Sequence, residues 1–186
     1  MIAIEKEDEK SISFAVDAPV HFANLLRKYI MAKVPVLAFD EVIFYENSSS
    51  MFEEYISHRI GLIPLKTRYP ISEKYEATST IDVQGPVVVT SADIKGDAEP
   101  ALKEIPIIRL KEGQVLRAEL KARVGKGEEH AKFQPGLATY EKTKDGYKFY
   151  VETFYQHKPR KLLLAALNEI KKDCNSFSEE FSSWKK

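Results

Sequence analysis

The sequence has little of the residue that builds disulfide frameworks and metal clusters, since its 186 positions include one cysteine, Cys174. A single thiol excludes an internal disulfide bond, and it excludes a zinc or iron–sulfur site held by cysteines of this chain alone. An excess of one charge is also missing, because 28 lysines and arginines balance 28 aspartates and glutamates. This balance argues against broad binding to nucleic acid or to a membrane surface.

Long apolar runs are absent as well. None reaches the roughly 18 residues of a membrane-spanning helix. The acidic start of the chain, MIAIEKEDEK, lacks the apolar segment of a signal peptide. Apolar residues make up 44% of the chain, which is enough for one domain or two small ones to bury a core. We therefore expect a cytoplasmic, water-soluble α+β protein.

Two segments have the periodicity of helices. In the first, apolar residues recur at i, i+3, i+4, i+7 and i+8, and they are Phe22, Leu25, Leu26, Tyr29 and Ile30. We expect Asp17 to cap this helix and Pro35 to end it. The second helix is predicted from Pro159 to about Ser183, with a stripe formed by Leu163, Ala166, Leu167, Ile170, Cys174, Phe177 and Phe181. Positions 162–167 are apolar on nearly every side, so we expect a further surface to cover them.

The rest of the chain favours β structure, with one short helix predicted at 51–60. Alternating or β-branched runs predict strands at 11–16, 36–45, 78–90, 105–110, 114–124 and 147–154, with a further strand around Tyr140. Lys144-Asp145-Gly146 lies between the last two of these strands. Asp-Gly in that position is typical of a β-hairpin turn.

No catalytic or metal-binding motif stands out. The four histidines, which are His21, His58, His130 and His157, lack the spacing of metal ligands. The segment 125–127 (GKG) lacks the ending of a phosphate-binding loop, and Cys174 lies on an apolar stripe, where a small buried side chain is expected. The residues themselves therefore indicate a non-enzymatic interaction protein. The alternative is a stand-alone enzyme that uses His58 or His130.

Three segments, taken together and in this order, match a known family. They are residues 22–28 (FANLLRK) followed by Val34-Pro35, residues 58–65 (HRIGLIPL), and residues 125–135 (GKGEEHAKFQP). With them, the chain resembles the alpha-like subunits of RNA polymerases, in particular the archaeal members of that family, which are the counterparts of the bacterial alpha N-terminal region. The resemblance extends over nearly the whole chain.

This resemblance implies both a fold and a role. The fold is α+β, with a discontinuous dimerisation domain at 1–38 and 145–186 that combines an antiparallel sheet with two helices, and a mostly β insert domain at 39–144. The role is that of a non-catalytic platform subunit of a DNA-directed RNA polymerase, which forms a heterodimer with an L-like subunit and docks the large subunits and small assembly subunits. The resemblance implies no cofactor, no direct sequence-specific DNA binding and no contact with a membrane.

The resemblance also assigns partner-binding residues. Those expected at the dimer interface lie on the two helices and are Phe22, Leu25, Leu26, Tyr29, Ile30, Leu163, Leu167, Ile170 and Phe177. Those expected to meet the other polymerase subunits are Arg27, Lys28, His58, Arg59, His130, Lys132 and Phe133. Because bacterial members of the family pair with themselves, a self-associating homodimeric scaffold is an alternative to the heterodimer.

Two positions depart from the family pattern. Many archaeal members carry a ferredoxin-like insertion with cysteine ligands after the third segment, whereas this chain has only EKTKDG there, at 141–146. We therefore expect the iron–sulfur domain to be absent. The family often has a second arginine on the first helix, where this chain has Lys28. Lysine keeps the charge and loses the planar group that binds carboxylates with two hydrogen bonds.

Overall fold

A computed structural model describes residues 2–184 and has the mixed α+β content that the sequence predicts. The helices are α1 (Val20–Ala32), α2 (Glu53–Gly61) and α3 (Pro159–Ser183). The strands are β1 (Ile2–Glu7), β2 (Ser11–Val16), β3 (Val36–Asn47), β4 (Glu76–Gln84), β5 (Val87–Thr90), β6 (Lys95–Gly96), β7 (Pro106–Leu110), β8 (Val115–Gly125), β9 (Gly136–Thr143) and β10 (Gly146–Thr153). Within the described range, no helix is long and apolar enough to cross a membrane.

The chain divides into two compact units, and each is described separately. The terminal unit comprises residues 1–34, 126–128 and 134–186, and the central unit comprises 35–125 and 129–133. The terminal unit is therefore discontinuous in sequence, because it takes both ends of the chain.

The terminal unit is built on an antiparallel sheet with the strand order β1-β2-β10-β9. Alternation in β2 buries Ile12, Phe14 and Val16, while their neighbours stay partly exposed. The rings of Phe14 and Phe149, on the paired strand β10, stack with centroids 5.0 Å apart. Since α1 and α3 pack against this sheet and against each other, the core of the unit lies between the helices and the sheet.

Strand β1 is an element that the sequence pattern does not predict. Half of its six residues, IAIEKE, are charged and all six are exposed, so no alternation marks a buried face. The strand forms because its backbone pairs with β2 along its length. Ion pairs hold it further, with Glu5 2.9 Å from Lys148 and Glu7 2.6 Å from Arg160.

The hairpin of β9 and β10 moves the boundary expected between the two domains. β9 pairs with β10 along its whole length, so residues 134–144 belong to the terminal unit and not to the insert. Both strands of a hairpin share one sheet, which is why the boundary lies near residue 134 and not at 144. The turn follows the Asp-Gly signal, since Gly146 has a φ of +138°, a conformation that favours glycine.

The central unit is built on a four-stranded sheet with the order β3-β8-β4-β6, and it includes a two-stranded sheet of β5 and β7. Side chains along β8 alternate between buried and less buried, so one face of the sheet joins the core. α2 contacts β3 and β7 and places Ile56 and Ile60 in that core. The largest fully buried side chains of this core are Phe39, Ile56, Ile60, Ile63, Leu65, Ile81 and Ile107.

The single strand predicted at 78–90 is in fact two strands in different sheets. β4 ends at Gln84 and β5 begins at Val87. A Cβ at Gly85 would lie 2.1 Å from the carbonyl oxygen of Lys111, so only glycine lets the chain pass that close. Pro86 follows and cannot donate a hydrogen bond to a ladder, which separates the two strands.

Helix α1 begins without the side-chain cap that the sequence predicts, and α2 begins two residues later than predicted. The N-cap of α1 is Pro19 and not Asp17, and α2 begins at Glu53 after Phe52 instead of at residue 51. Neither N-cap residue forms a side-chain cap hydrogen bond. In α2 the carboxylates of Glu53 and Glu54 lie in the first turn, where the helix dipole favours negative charge.

Candidate subunit-binding surfaces

In the terminal unit, α1 and α3 each turn one side towards the unit's own core. The buried residues are Ala23, Leu26 and Ile30 on α1, and Pro159, Leu162, Ala165, Ala166 and Glu169 on α3. The two helices are also linked by the hydroxyl of Tyr29, which donates to Oδ2 of Asp173 at 2.7 Å. This hydrogen bond to a carboxylate, followed by partial burial, raises the pKa of Tyr29 to about 12.

A second set of apolar side chains on the same helices is not fully covered by the described residues. Leu25, Leu164, Phe177 and Phe181 are 37%, 54%, 71% and 60% exposed. Phe22, Tyr29, Leu163, Leu167 and Ile170 are only partly buried. These nine residues are the apolar helix surface. Exposed apolar side chains concentrated on two neighbouring helices are typical of a site that binds another protein.

The residues predicted for the dimer interface fall into two groups. Seven belong to the apolar helix surface, and they are Phe22, Leu25, Tyr29, Leu163, Leu167, Ile170 and Phe177. Leu26 and Ile30 do not, because they are 2% and 0% exposed. The direct partner contact expected of these two residues is therefore corrected to a supporting role in the core beneath the surface.

Cys174 is exposed, which corrects the expectation that it is a small buried side chain. The apolar stripe predicted on α3 is real as a pattern, but most of it is not the side that packs on the unit's own core. The core side contains Leu162, Ala165 and Glu169 instead. Periodicity identifies an apolar stripe but does not say which neighbour covers it.

The two basic residues predicted for other subunits have different environments on α1. Arg27 is half-buried, and its Nη1 lies 3.8 Å from the sulfur of Met31 on the next turn. Lys28 is exposed. Lys28 can therefore meet a carboxylate of another chain without first leaving a buried position.

In the central unit, charged side chains surround the ring of Phe133, which is fully buried. The Arg123 guanidinium and the Lys132 ammonium lie 4.6 Å and 5.2 Å from the ring centroid, as in cation–π contacts. Asp40 accepts hydrogen bonds from Lys132 and from Nε of Arg123, which lower the pKa of its carboxyl group. Glu129 accepts from Arg123 at 3.0 Å. Phe133 is thus a packing residue, and the expectation that its ring meets another subunit is corrected.

The structure brings three of the predicted site residues, His58, His130 and Lys132, to one cleft. The cleft holds about 180 Å³ and is lined by Phe39, Asp40, Val42, Ser57, His58, Gly61, Leu62, His130 and Lys132. This volume is below the roughly 300–1,000 Å³ of sites for small ligands, so it suits a side chain of another protein better than a cofactor. Both imidazoles are exposed, and Nδ1 of His130 accepts from the backbone N–H of Lys132 at 3.1 Å.

The outer side of α2 carries exposed aromatic residues that the sequence reasoning missed. Phe52 and Tyr55 are 72% and 65% exposed, and their ring centroids lie 6.5 Å apart. Arg59, on the same helix, donates to the carbonyl of Pro106 at 2.6 Å. The helical period groups Tyr55 with Ile56, but α2 is short and buries only Ile56 and Ile60. The signal available was the spacing of Phe52, which lies three residues before Tyr55 and four before Ile56, as on one side of a helix.

Metal ligation has no geometric support in the part of the chain that the structure describes. No group of three or more His, Cys, Asp or Glu side chains within residues 2–184 is arranged to hold a metal ion. The two imidazoles of the cleft, those of His58 and His130, are therefore not part of such a group, although Asp40 also lines the cleft. They suit hydrogen bonds with another protein.

Comparison with known proteins gives these surfaces a family. A family model described as the RNA polymerase Rpb3/RpoA insert domain matches residues 42–137, which include most of the central unit. The DNA-directed RNA polymerase subunit Rpo3 of Methanocaldococcus jannaschii is 38% identical over 186 aligned residues, and the match covers 97% of each chain.

Two further relatives carry the same name and are longer. The Rpo3 subunit of Pyrococcus horikoshii is 42% identical over 150 residues, which are 75% of this chain and 58% of the relative. That of Thermococcus kodakarensis is 44% identical over 141 residues, which are 70% of this chain and 54% of the relative. The family expected from the three sequence segments is thereby confirmed: this chain belongs to the alpha-like Rpb3/RpoA family of RNA polymerase subunits, together with the archaeal Rpo3 proteins.

Proposed function

We propose that this chain is a non-catalytic assembly subunit of a DNA-directed RNA polymerase, and that it forms a heterodimer with an L-like subunit through the apolar helix surface. Membership of the Rpb3/RpoA family supports the first part of the proposal. The observation that carries the second is the exposure of leucine and phenylalanine side chains on α1 and α3. The proposed location is the cytoplasm.

Covering the apolar helix surface would stabilise such a complex. Removing apolar surface from water contributes roughly 25 cal/mol per Å², and obligate interfaces commonly bury more than about 2,000 Å² in total. Because α3 is about 37 Å long, it can present apolar side chains along the full width of such an interface. The partly buried residues, such as Leu167, would then become fully buried.

The central unit supplies separate surfaces for the other polymerase subunits. The cleft with His58 and His130 is proposed to take a side chain of one neighbour. Exposed aromatic residues such as Phe52 and Tyr55 are the residue types that dominate binding energy at protein interfaces. In the terminal unit, Lys28 is proposed to pair with a carboxylate of a third chain, and Arg27 would have to give up its contact with Met31 to do the same.

Two alternatives use the same observations differently. A homodimeric scaffold would cover the apolar helix surface with a second copy. A stand-alone enzyme would use His58 or His130 as an acid or base, and a catalytic histidine normally donates a hydrogen bond from one ring nitrogen to a carboxylate or carbonyl that orients it. The backbone N–H of Lys132 occupies Nδ1 of His130. That contact lies within one short turn and supports a structural role for the ring.

Co-expression with the L-like subunit of the same organism tests the heterodimer. Leu167→Asp should abolish co-purification, because the new carboxylate would be buried unpaired in an apolar interface. Leu102→Asp is the matched control, since Leu102 is 37% exposed and belongs to the central unit. It should leave co-purification unchanged. Circular dichroism checks that both variants keep their fold.

The outcomes separate the hypotheses. If the wild-type chain does not bind the L-like subunit and elutes from a size-exclusion column as a homodimer, the homodimeric scaffold is supported and the proposal is overturned. A heterodimer that survives Leu167→Asp shows that the apolar helix surface is not the interface. The size of the complex purified from native cells, with the co-purifying chains identified by mass spectrometry, checks the assignment to a polymerase.

A further inference from the structure

The central unit has a second cleft, which shares no lining residue with the one that contains His58. It is lined by much of the segment 66–71 and by Leu37, Tyr75, Asp97 and Glu99, and it is called the Arg68 cleft here. It holds about 570 Å³, within the roughly 300–1,000 Å³ of sites for small ligands. The cleft with His58 holds about 180 Å³. The occupant that fills the Arg68 cleft is therefore larger than a single side chain.

Hydrogen bonds to the backbone hold the walls of the Arg68 cleft in place. The buried hydroxyl of Thr67 accepts from the backbone N–H of Leu37 at 3.1 Å and donates to the carbonyl of Leu65 at 3.2 Å. The backbone N–H of Lys66 donates to the carbonyl of Glu99 at 2.8 Å, which joins the two walls. Walls that are held before a ligand arrives lose little freedom when it binds, and this favours affinity.

The lining of the Arg68 cleft has an apolar portion that reaches from the core to the surface. Leu37 is 3% exposed, and Ile71 packs against the core of the central unit. Pro70 lines the cleft as well, and the ring of Tyr75 is 43% exposed. A large apolar side chain of a ligand can be buried against these residues, as the anchor residues of peptides and proteins are.

The polar portion of the lining leaves two opposite charges unpaired. Lys66 and Glu99 form an ion pair with each other. Among the described residues, no hydrogen bond or ion pair involves the side chain of Arg68 or that of Asp97. A carboxylate of a ligand would pair with Arg68 and a cation with Asp97, whereas the carboxylates of Asp97 and Glu99 would repel a phosphate.

We propose that the Arg68 cleft binds a short segment of another protein, in which a large apolar side chain is flanked by one acidic and one basic residue. The proposal goes beyond the proposed function, which assigns no role to this cleft. A segment of several residues matches the volume of the cleft. A free amino acid carries the same two charges, but it has little more than the size of one side chain and would leave most of the cleft empty.

Two pentapeptides of identical composition, AELKA and AKLEA, test the proposal when both of their ends are blocked. Isothermal titration calorimetry with the full chain should show that one peptide binds at least about fivefold more tightly than the other, because Arg68 and Asp97 fix the direction of the segment. Replacing leucine by alanine in the better peptide should weaken binding at least about tenfold. Equal binding of the two pentapeptides, or no binding of either at about 1 mM, overturns the proposal. Free leucine that binds as tightly as the better peptide overturns the choice of a protein segment.

An exchange of the two unpaired charges tests whether the peptides bind in this cleft. Arg68→Asp combined with Asp97→Arg should invert the preference between the two pentapeptides, since both side chains are exposed and unpaired. Arg109→Asp is the control, because Arg109 is an exposed arginine of β7 outside the lining, and it should leave the preference unchanged. Arg68→Gln alone should reduce the preference to less than about twofold, which keeps the test decisive if the exchanged chain does not fold. A preference that persists in a folded exchanged chain, or in Arg68→Gln, places the peptides elsewhere and overturns the proposal.

Discussion

Tyr29 and Asp40 each hold a local geometry through a hydrogen bond that involves a carboxylate. Tyr29 joins α1 to α3 in the terminal unit, and Asp40 joins β3 to the segment around Lys132 in the central unit. Both contacts are partly exposed, so each contributes modestly to the free energy of unfolding. The pKa of Tyr29 is raised and that of Asp40 is lowered, so the two groups titrate at opposite ends of the pH scale. A change of stability at high pH therefore reports on the terminal unit, and a change at low pH reports on the central unit.

We predict that Tyr29→Phe loosens the contact between α1 and α3 without unfolding the terminal unit. The loss is one hydrogen bond to a carboxylate near the surface, worth about 1 kcal/mol or less. Because the pKa of Tyr29 is raised from 10.0 to about 12, its contribution is complete below pH 10 and is lost as the pH rises towards 12. Chemical denaturation of wild type and variant at pH 8 and at a pH near 11 measures this. An unchanged difference between the two chains at both pH values would contradict it.

We predict that Asp40→Asn destabilises the central unit by about 0.5–1 kcal/mol at neutral pH, after allowing for solvent screening. The pKa of Asp40 is lowered from 3.8, first by Lys132 and then by Arg123, so the contribution is present above that pH and is lost as the pH falls below it. Denaturation at pH 7 and pH 3 measures the effect, which should shrink in acid.

Asp82→Asn is the control for this prediction. Asp82 also lies within 3.2 Å of an arginine, but its side chain is 65% exposed and its partner is Arg117. The control should have a smaller effect than Asp40→Asn. Equal losses from the two substitutions would mean that the cluster around Phe133 adds nothing beyond an ordinary surface ion pair.

Among the elements, α2 has one side that packs on the central core and one side that is exposed to solvent. Ile56 and Ile60 are fully buried and attach the helix to the central core, while Phe52 and Tyr55 remain in solvent. A helix of nine residues has little stability of its own, so its position depends on those two isoleucines. The exposed side is then free for binding.

We predict that Ile60→Ala destabilises the central unit by about 2–4 kcal/mol, because it removes a buried side chain and leaves a cavity. Tyr55→Ala, on the exposed side of the same helix, should change stability by less than about 0.5 kcal/mol. Thermal or urea denaturation distinguishes them. Tyr55→Ala should instead weaken incorporation of the chain into the polymerase, which a pull-down of the assembled enzyme measures.

Elements with a strong local signal could be predicted from the sequence. α3 spans Pro159–Ser183 as expected, because a helical period over 25 residues does not depend on the rest of the chain. The turn before Gly146 was also predictable, because Asp-Gly is typical of hairpin turns. Gly146 has a φ of +138°, which favours glycine. β1 was not, because its residues show no alternation of their own. Its stability comes from backbone pairing with β2 and from ion pairs with Lys148 and Arg160, and those two residues lie far away in sequence.

The candidate sites were predictable in position more than in role. The family segments located His58, His130 and Lys132, but only the packing of α2 and of residues 131–133 onto β3 brings them to one cleft. The helical stripes identified α1 and α3, yet Leu26 and Ile30 turned out to be core residues. Burial is decided by which neighbour packs on each side, and this information is not local.

At the scale of the whole molecule, the chain lacks the means to hold an iron–sulfur cluster by cysteines alone. It has one thiol, and a hairpin turn occupies the place where many archaeal members of the family carry a ferredoxin-like insertion. We predict that the purified protein has no visible absorbance and no stoichiometric iron. Absorption spectroscopy and metal analysis of protein prepared without oxygen measure this. Iron at one or more atoms per chain, together with a cluster spectrum, would contradict it.

The pairing of β2 with β10 has a consequence during synthesis on the ribosome. β10 emerges about 130 residues after β2, which at common rates of translation is a delay of about 10 s. Throughout that time β2 pairs only with β1, so its other edge has no partner strand and its apolar face is not covered by α3, while the central unit emerges during the same interval. A nascent chain therefore presents an open β edge for seconds, and its safe synthesis depends on something else shielding that edge until the last helix appears.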